Sequence, residues 1–127
     1  PGREAFLPIL SLSVAAARAH GLTILDGVHN DIDDLNALEA VCDQAVDFGF
    51  DGKTLIHPKH LPICNRAFSP TADEIAWSQA VIAAFAAPEN AGKGALRVEG
   101  RMAERLHLVQ AERLVAVAAV IAERSAA

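Results

Sequence analysis

Gly49-Phe50-Asp51-Gly52-Lys53-Thr54-Leu55-Ile56-His57-Pro58-Lys59-His60-Leu61-Pro62-Ile63-Cys64-Asn65 is the stretch on which the reading of this chain turns. Gly49 closes a helix and Gly52 turns the chain. Lys53-Thr54-Leu55-Ile56 then has the length and apolar content of a short buried strand. Proline has no N–H to give to a sheet ladder, so the strand ends at His57-Pro58. In parallel α/β folds ligands lie beyond the carboxyl ends of the strands, which puts His57 where chemistry is expected.

Upstream of that stretch the pattern is helix, strand, helix. Residues 4 to 20 predict a helix from at least Pro8 onward, with Ile9, Leu12, Ala16 and Ala19 on its apolar face and Gly21 as its stop. Leu22 to Asp26 is too short for a helix and rich in β-formers, which predicts a buried strand turned by Gly27. Asp31, Asp33 and Asp34 follow. They lack the glycine and distal glutamate of a calcium loop, and are read as capping and charging the next helix at its positive dipole end. That helix spans Leu35 to Phe48 through Leu35, Leu38, Val41, Cys42, Ala45 and Val46. Two short strands joined by a helix make a right-handed parallel βαβ unit. Two parallel strands are not stable alone, so the unit calls for more strands than the chain supplies.

Downstream, Leu61 to Phe68 predicts a short helix starting near Pro62. Thr71 and Glu74 form a capping box that opens a helix running to about Ala87, burying Ile75, Val81, Ile82 and Phe85. Residues 88 to 94 form a loop. Ala95 to Glu99 alternates apolar and polar and turns at Gly100, which predicts a small hairpin. A last helix spans about Arg105 to Arg124, with Leu106, Val109, Leu114, Val117 and Ile121 on one face.

At 127 residues the chain has room for one domain with a real core, and its many alanines favour packed helices over a sheet sandwich. The net charge of -5 and the scatter of eleven basic residues argue against nucleic acid as a partner. No apolar run approaches the ~20 residues of a membrane span, and the first residues do not read as a signal peptide, so no membrane partner and a cytoplasmic location are expected. Cys42 and Cys64 lie 22 positions apart without a CxxC partner and are read as reduced core cysteines. The histidines His20, His29, His60 and His107 form no HxxxH or HExxH pair for zinc, and no G-x-S-x-G elbow is present.

Several motifs, in order, resemble the carboxyl-terminal part of the citrate lyase β-subunit and malyl-CoA lyase (HpcH/HpaI aldolase-like) family. They are Ala16-Ala17-Arg18-Ala19-His20-Gly21-Leu22; Asp26-Gly27-Val28 with Asp31-Ile32-Asp33-Asp34; Gly49-Phe50-Asp51-Gly52-Lys53 with Ile56-His57-Pro58; Phe68-Ser69-Pro70 with Glu74-Ile75-Ala76; and Gly100-Arg101-Met102. The likeness runs from about Ser11 to Leu114. It implies an α/β fold: the last two parallel strands of a (β/α)8 TIM barrel with their helices in residues 1–68, and a helical extension in 69–127 acting as a lid or in oligomerisation. It also implies a carbon–carbon lyase acting on CoA thioesters of 3-hydroxy acids (citryl-, malyl- or citramalyl-CoA), releasing an acyl-CoA and a small keto acid. Mg²⁺ is the implied cofactor, with ligands expected on strands upstream of this chain and none within it. A homo-oligomer, trimer or hexamer, is implied by an extension that lies over a neighbour's site.

The resemblance further marks individual residues. Asp26 either lines the pocket or holds the Gly27 turn, with Gly27 and Val28 beside it. His57, with Pro58, contacts the CoA or keeps the strand-end loop in shape, and the tips at Asp26 and His57 are expected to open side by side. Lys53, at the start of its strand, is expected to be solvated. Glu104 stands where the family carries an aspartate acting as acid/base in a neighbour's site. Its carboxylate reaches one methylene further, and the usual proline of that motif is replaced by Leu106, which leaves condensation, cleavage and thioester hydrolysis open. A helix N-terminal role explains Glu104 equally well. The rival reading is a non-catalytic interaction or oligomerisation fragment that keeps the family's packing.

Overall fold

In the computed structural model, which describes residues 2–126, the chain divides between Phe68 and Ser69 into two units. In the first, one 3-10 turn leads into α1 (Leu7–Ala19), with Pro8 in the first helical turn where its missing N–H costs nothing. Gly21, at φ +64°, takes the left-handed backbone that ends it. A two-residue strand, β1 (Leu25–Asp26), is followed by α2 (Leu35–Phe48). The Asp34 carboxylate accepts the Ala37 N–H at 3.0 Å and caps α2, while Gly49 at φ +88° stops it. Then β2 (Gly52–Lys53) pairs parallel with β1, Leu25 opposite Gly52 and Asp26 opposite Lys53. A 3-10 turn over Pro58–His60 opens α3 (Leu61–Phe68).

Two expectations need correction in this unit. The strands are shorter than predicted. Beyond the paired residues the ladder continues only through Asp51 N–H to Ile24 C=O and Thr54 N–H to Asp26 C=O, and Ile56 is exposed. Among the described residues β2 has a neighbour on one side only, so nothing holds Leu55 and Ile56 in a ladder. Second, α1 buries Val14 and Ala17 and packs Leu10 and Val14 against Ala45 and Phe50, leaving Ile9 and Leu12 in solvent. The helix is apolar on several sides, so the three- and four-residue spacing alone does not select the buried one. Leu38, Cys42 and Cys64 form a second small core between α2 and α3.

In the second unit the capping box is present. Thr71 and Glu74 each satisfy the other's backbone N–H, and α4 (Ala72–Ala86) begins there. An antiparallel hairpin follows, β3 (Ala95–Val98) and β4 (Arg101–Glu104), closed by Glu99-Gly100. Both turn residues have positive φ, 47° and 81°, the type I′ geometry that matches strand twist. The last helix is α5 (Arg105–Ser125). Val81, Val98, Ala103 and Ala111 make the core, with Trp77, Phe85 and Leu108 against it. The predicted α5 face is therefore also corrected: Leu108 and Ala111 point inward, whereas Leu106, Val109, Val117 and Ile121 are exposed. Among the described residues no helix is long and apolar enough to cross a membrane.

Candidate site at the strand tips

Asp26, the last residue of β1, is 1% exposed. A buried carboxylate is costly unless it is paired, and here it is paired twice. Arg3 Nη1 donates to both carboxylate oxygens at 2.7 and 2.8 Å. Lys53 Nζ donates to Oδ2 at 2.8 Å and also to the Gly27 carbonyl at 2.6 Å. Arg3 is anchored in turn on α2, through Gln44 Oε1 at 2.7 Å and the Val41 carbonyl at 3.3 Å. Burial alone would push the Asp26 carboxyl up, but Lys53 and Arg3 outweigh it and hold the group below the usual carboxylate range.

The expectation of a solvated Lys53 is wrong: its side chain is 1% exposed. The parallel register sets it directly opposite Asp26, so its ammonium reaches the carboxylate and the following turn. Both Asp26 oxygens are engaged by cations, and the Gly27 carbonyl is held by Lys53 rather than by Asp26 itself. Gly27 and Val28 beyond it are exposed.

His57 lies four residues past Lys53, not opposite Asp26. Its Nδ1 accepts the Lys59 N–H at 3.2 Å, so the ring caps the turn that starts at Pro58. The loops after the two strands nevertheless run together. His60 Nε2 is 3.2 Å from the Ile32 carbonyl, and Lys59 pairs with Asp33 at 2.7 Å. The His60 ring is fully buried, with the rings of His57 and His29 each centred 6.1 Å away. His60 Nδ1 and His29 Nε2 are buried without a protein partner. Reading the histidines only for zinc spacing missed this trio, since His29 and the His57/His60 pair come from different loops. The three-residue interval between His57 and His60 was the one signal available.

In the second unit Glu104 ends β4 and caps α5. Its backbone N–H donates to His107 Nδ1 at 2.9 Å, and its side chain accepts the His107 backbone N–H. The backbone of Glu104 is thus fixed while the residue remains exposed. Close by, the Arg101 guanidinium sits 4.5 Å above the Trp77 ring, and His107 meets that ring edge-on at 6.2 Å. A cavity of about 340 Å³ is lined there by Asp73, Trp77, Ser78, Arg101, Gln110 and Leu114. Among the described residues no three His, Cys, Asp or Glu side chains are placed to hold a metal ion, and Asp26 is saturated by cations. The residues present do not fit a complete magnesium site.

Residues 2–58 match the family described as HpcH/HpaI aldolase/citrate lyase. A (3S)-malyl-CoA thioesterase of Cereibacter sphaeroides strain ATCC 17029 is 49% identical over 122 residues, covering 96% of this chain and 43% of the relative. The mitochondrial citramalyl-CoA lyase of Rattus norvegicus is 36% identical over 111 residues, covering 87% of this chain and 33% of the relative. Among solved structures, protein CitE from Mycobacterium tuberculosis, in complex with magnesium, acetoacetate and coenzyme A, superposes with a TM-score of 0.74 at 32% identity, over 94% of this chain and 43% of that one. The chain therefore spans less than half the length of these relatives. The fold is a partial α/β unit of the citrate lyase TIM-barrel type, mostly helical with short parallel and antiparallel strands.

Proposed function

Because the chain belongs, through residues 2–58, to the HpcH/HpaI aldolase/citrate lyase family, we propose that it forms part of an enzyme acting on a CoA thioester of a 3-hydroxy acid of the malyl type. The 49% identity to a (3S)-malyl-CoA thioesterase across 96% of the chain carries this reading, and it favours hydrolysis of the thioester as the reaction. In that reaction water adds to the thioester carbonyl, the C–S bond breaks, and the CoA thiol leaves with a proton. Glu104 is the proposed general base or acid: an exposed carboxylate on a fixed backbone suits moving that proton. Gly27 and Val28 form one rim of the substrate pocket, and His57 with Pro58 forms the other. Asp26 acts on the rim indirectly, by pairing with the Lys53 ammonium that also holds the Gly27 carbonyl.

The family implies Mg²⁺, which when bound polarises a carbonyl oxygen as a Lewis acid. The fit described above gives this chain no ligand set for it, so its ligands are proposed to lie outside the chain, and no step of this reading is routed through the ion. Residues 69–127 are proposed to cover the site of a neighbouring subunit in a trimer or hexamer.

A second reading is carbon–carbon cleavage to an acyl-CoA and a keto acid. It is favoured by the 36% identity to a citramalyl-CoA lyase and by the likeness to a protein solved with acetoacetate and coenzyme A. The two separate in one assay of a protein extended to the length of the relatives, supplied with (3S)-malyl-CoA. Free CoA thiol with malate means hydrolysis. Acetyl-CoA with glyoxylate means cleavage. Untouched thioester, with and without Mg²⁺, overturns both and leaves the interaction fragment.

A further inference from the structure

Cys42 on α2 and Cys64 on α3 meet in the core between the two helices, their Sγ atoms 3.4 Å apart and neither in a disulfide. Cys42 is fully buried and Cys64 is 6% exposed. Around them pack Leu38, Leu55, Ile63, Ala67 and Phe68. A disulfide needs an S–S distance of about 2.05 Å, which the pair reaches by closing a gap of roughly 1.4 Å.

We propose that Cys42 and Cys64 are a site of reversible oxidation, in which a small hydroperoxide converts the thiol pair into a disulfide. Cys64 is the less enclosed sulfur and reacts first. Its thiolate attacks one oxygen of hydrogen peroxide, the O–O bond breaks, and hydroxide leaves, giving a sulfenic acid. Cys42 then attacks the Cys64 sulfur, the S–O bond breaks, and the oxygen departs as water. Two thiols and one hydrogen peroxide become one disulfide and two waters, with the sulfurs oxidised and the peroxide reduced. Burial beside Cys64 pushes the Cys42 thiol up to about 12, which agrees with its taking the second role.

The bond would close a loop over residues 43 to 63. Lys53, His57 and the turn at Pro58 all lie between the two cysteines in sequence. Oxidation thereby stiffens the second strand tip without touching any of its side chains. This inference is independent of which reaction the site performs.

Peroxide treatment of the purified protein, followed by alkylation under denaturing conditions and peptide mapping, tests it. The expected result is a linked Cys42–Cys64 peptide pair, an intact mass lower by two hydrogens, and full reversal by dithiothreitol. The melting temperature should rise by roughly 10 °C in the oxidised form. Cys42→Ser should stop the reaction at an oxygen adduct on Cys64. The proposal is overturned if both thiols of the peroxide-treated wild-type protein still alkylate fully. It is equally overturned if oxygen adducts accumulate on either sulfur without a link, or if links form only between molecules.

Discussion

Lys53 stands directly across the parallel ladder from Asp26, and its ammonium lies 2.8 Å from that carboxylate with both side chains 1% exposed. One ion pair thus fastens the two strands side to side and, through the Gly27 carbonyl, fixes the turn that leaves the first of them. Pairs of this kind are worth little against an apolar substitute but a great deal against loss of one partner, because the survivor is left charged in the core.

Lys53→Met should therefore destabilise the first unit by about 3 kcal/mol, as read from urea unfolding. Asp26→Asn in the same background should recover part of the loss, since no uncompensated carboxylate then remains. A cost near zero for Lys53→Met would mean that Arg3 alone satisfies Asp26.

The acid limb of stability should report on the same carboxylate. Asp26 has a folded pKa depressed by Lys53 and Arg3 against the opposing effect of burial. Its contribution is present above the unfolded carboxylate value of about 3.9, and is lost as pH falls through the lower folded value. Asp26→Asn should flatten the pH dependence of unfolding below about pH 4. A limb of unchanged steepness would contradict the assignment.

Thr71→Ala removes the hydroxyl that accepts the Glu74 N–H and should cost about 1 kcal/mol. Glu74 itself is held below the usual carboxylate range, first by the Thr71 backbone N–H and then by its hydroxyl. Melting followed by circular dichroism should show the loss in the second unit, and an unchanged midpoint would argue against the cap.

Glu104 separates chemistry from capping. Glutamine keeps an oxygen for the His107 N–H and so preserves the helix start, but it carries no transferable proton. Glu104→Gln should lower turnover of the extended protein by at least about 100-fold with its melting temperature unmoved. Unchanged turnover would reduce Glu104 to a cap.

Much of the architecture was legible where one residue dictates one conformation. The α2 bounds followed from Asp34 and Gly49, the α4 start from Thr71 and Glu74, and the hairpin from Gly100. The family was readable from five short motifs in order, and the match over residues 2–58 agrees. What failed depends on neighbours. Apolar spacing in α1 and α5 does not say which side meets a partner, and Ile9 and Val109, each on an apolar stripe of the sequence, are exposed. Lys53 was placed in solvent because lysines usually are, whereas a register shared with Asp26 buries it. Arg3, remote in sequence, gave no sign of its bond to Asp26.

Product analysis tests most directly the proposal that these residues serve a malyl-type CoA thioester. A protein of the relatives' length carrying this chain, incubated with (3S)-malyl-CoA, should consume it and release free CoA thiol together with malate. Acetyl-CoA and glyoxylate in place of those products would contradict hydrolysis in favour of cleavage. A thioester left intact would contradict the account altogether.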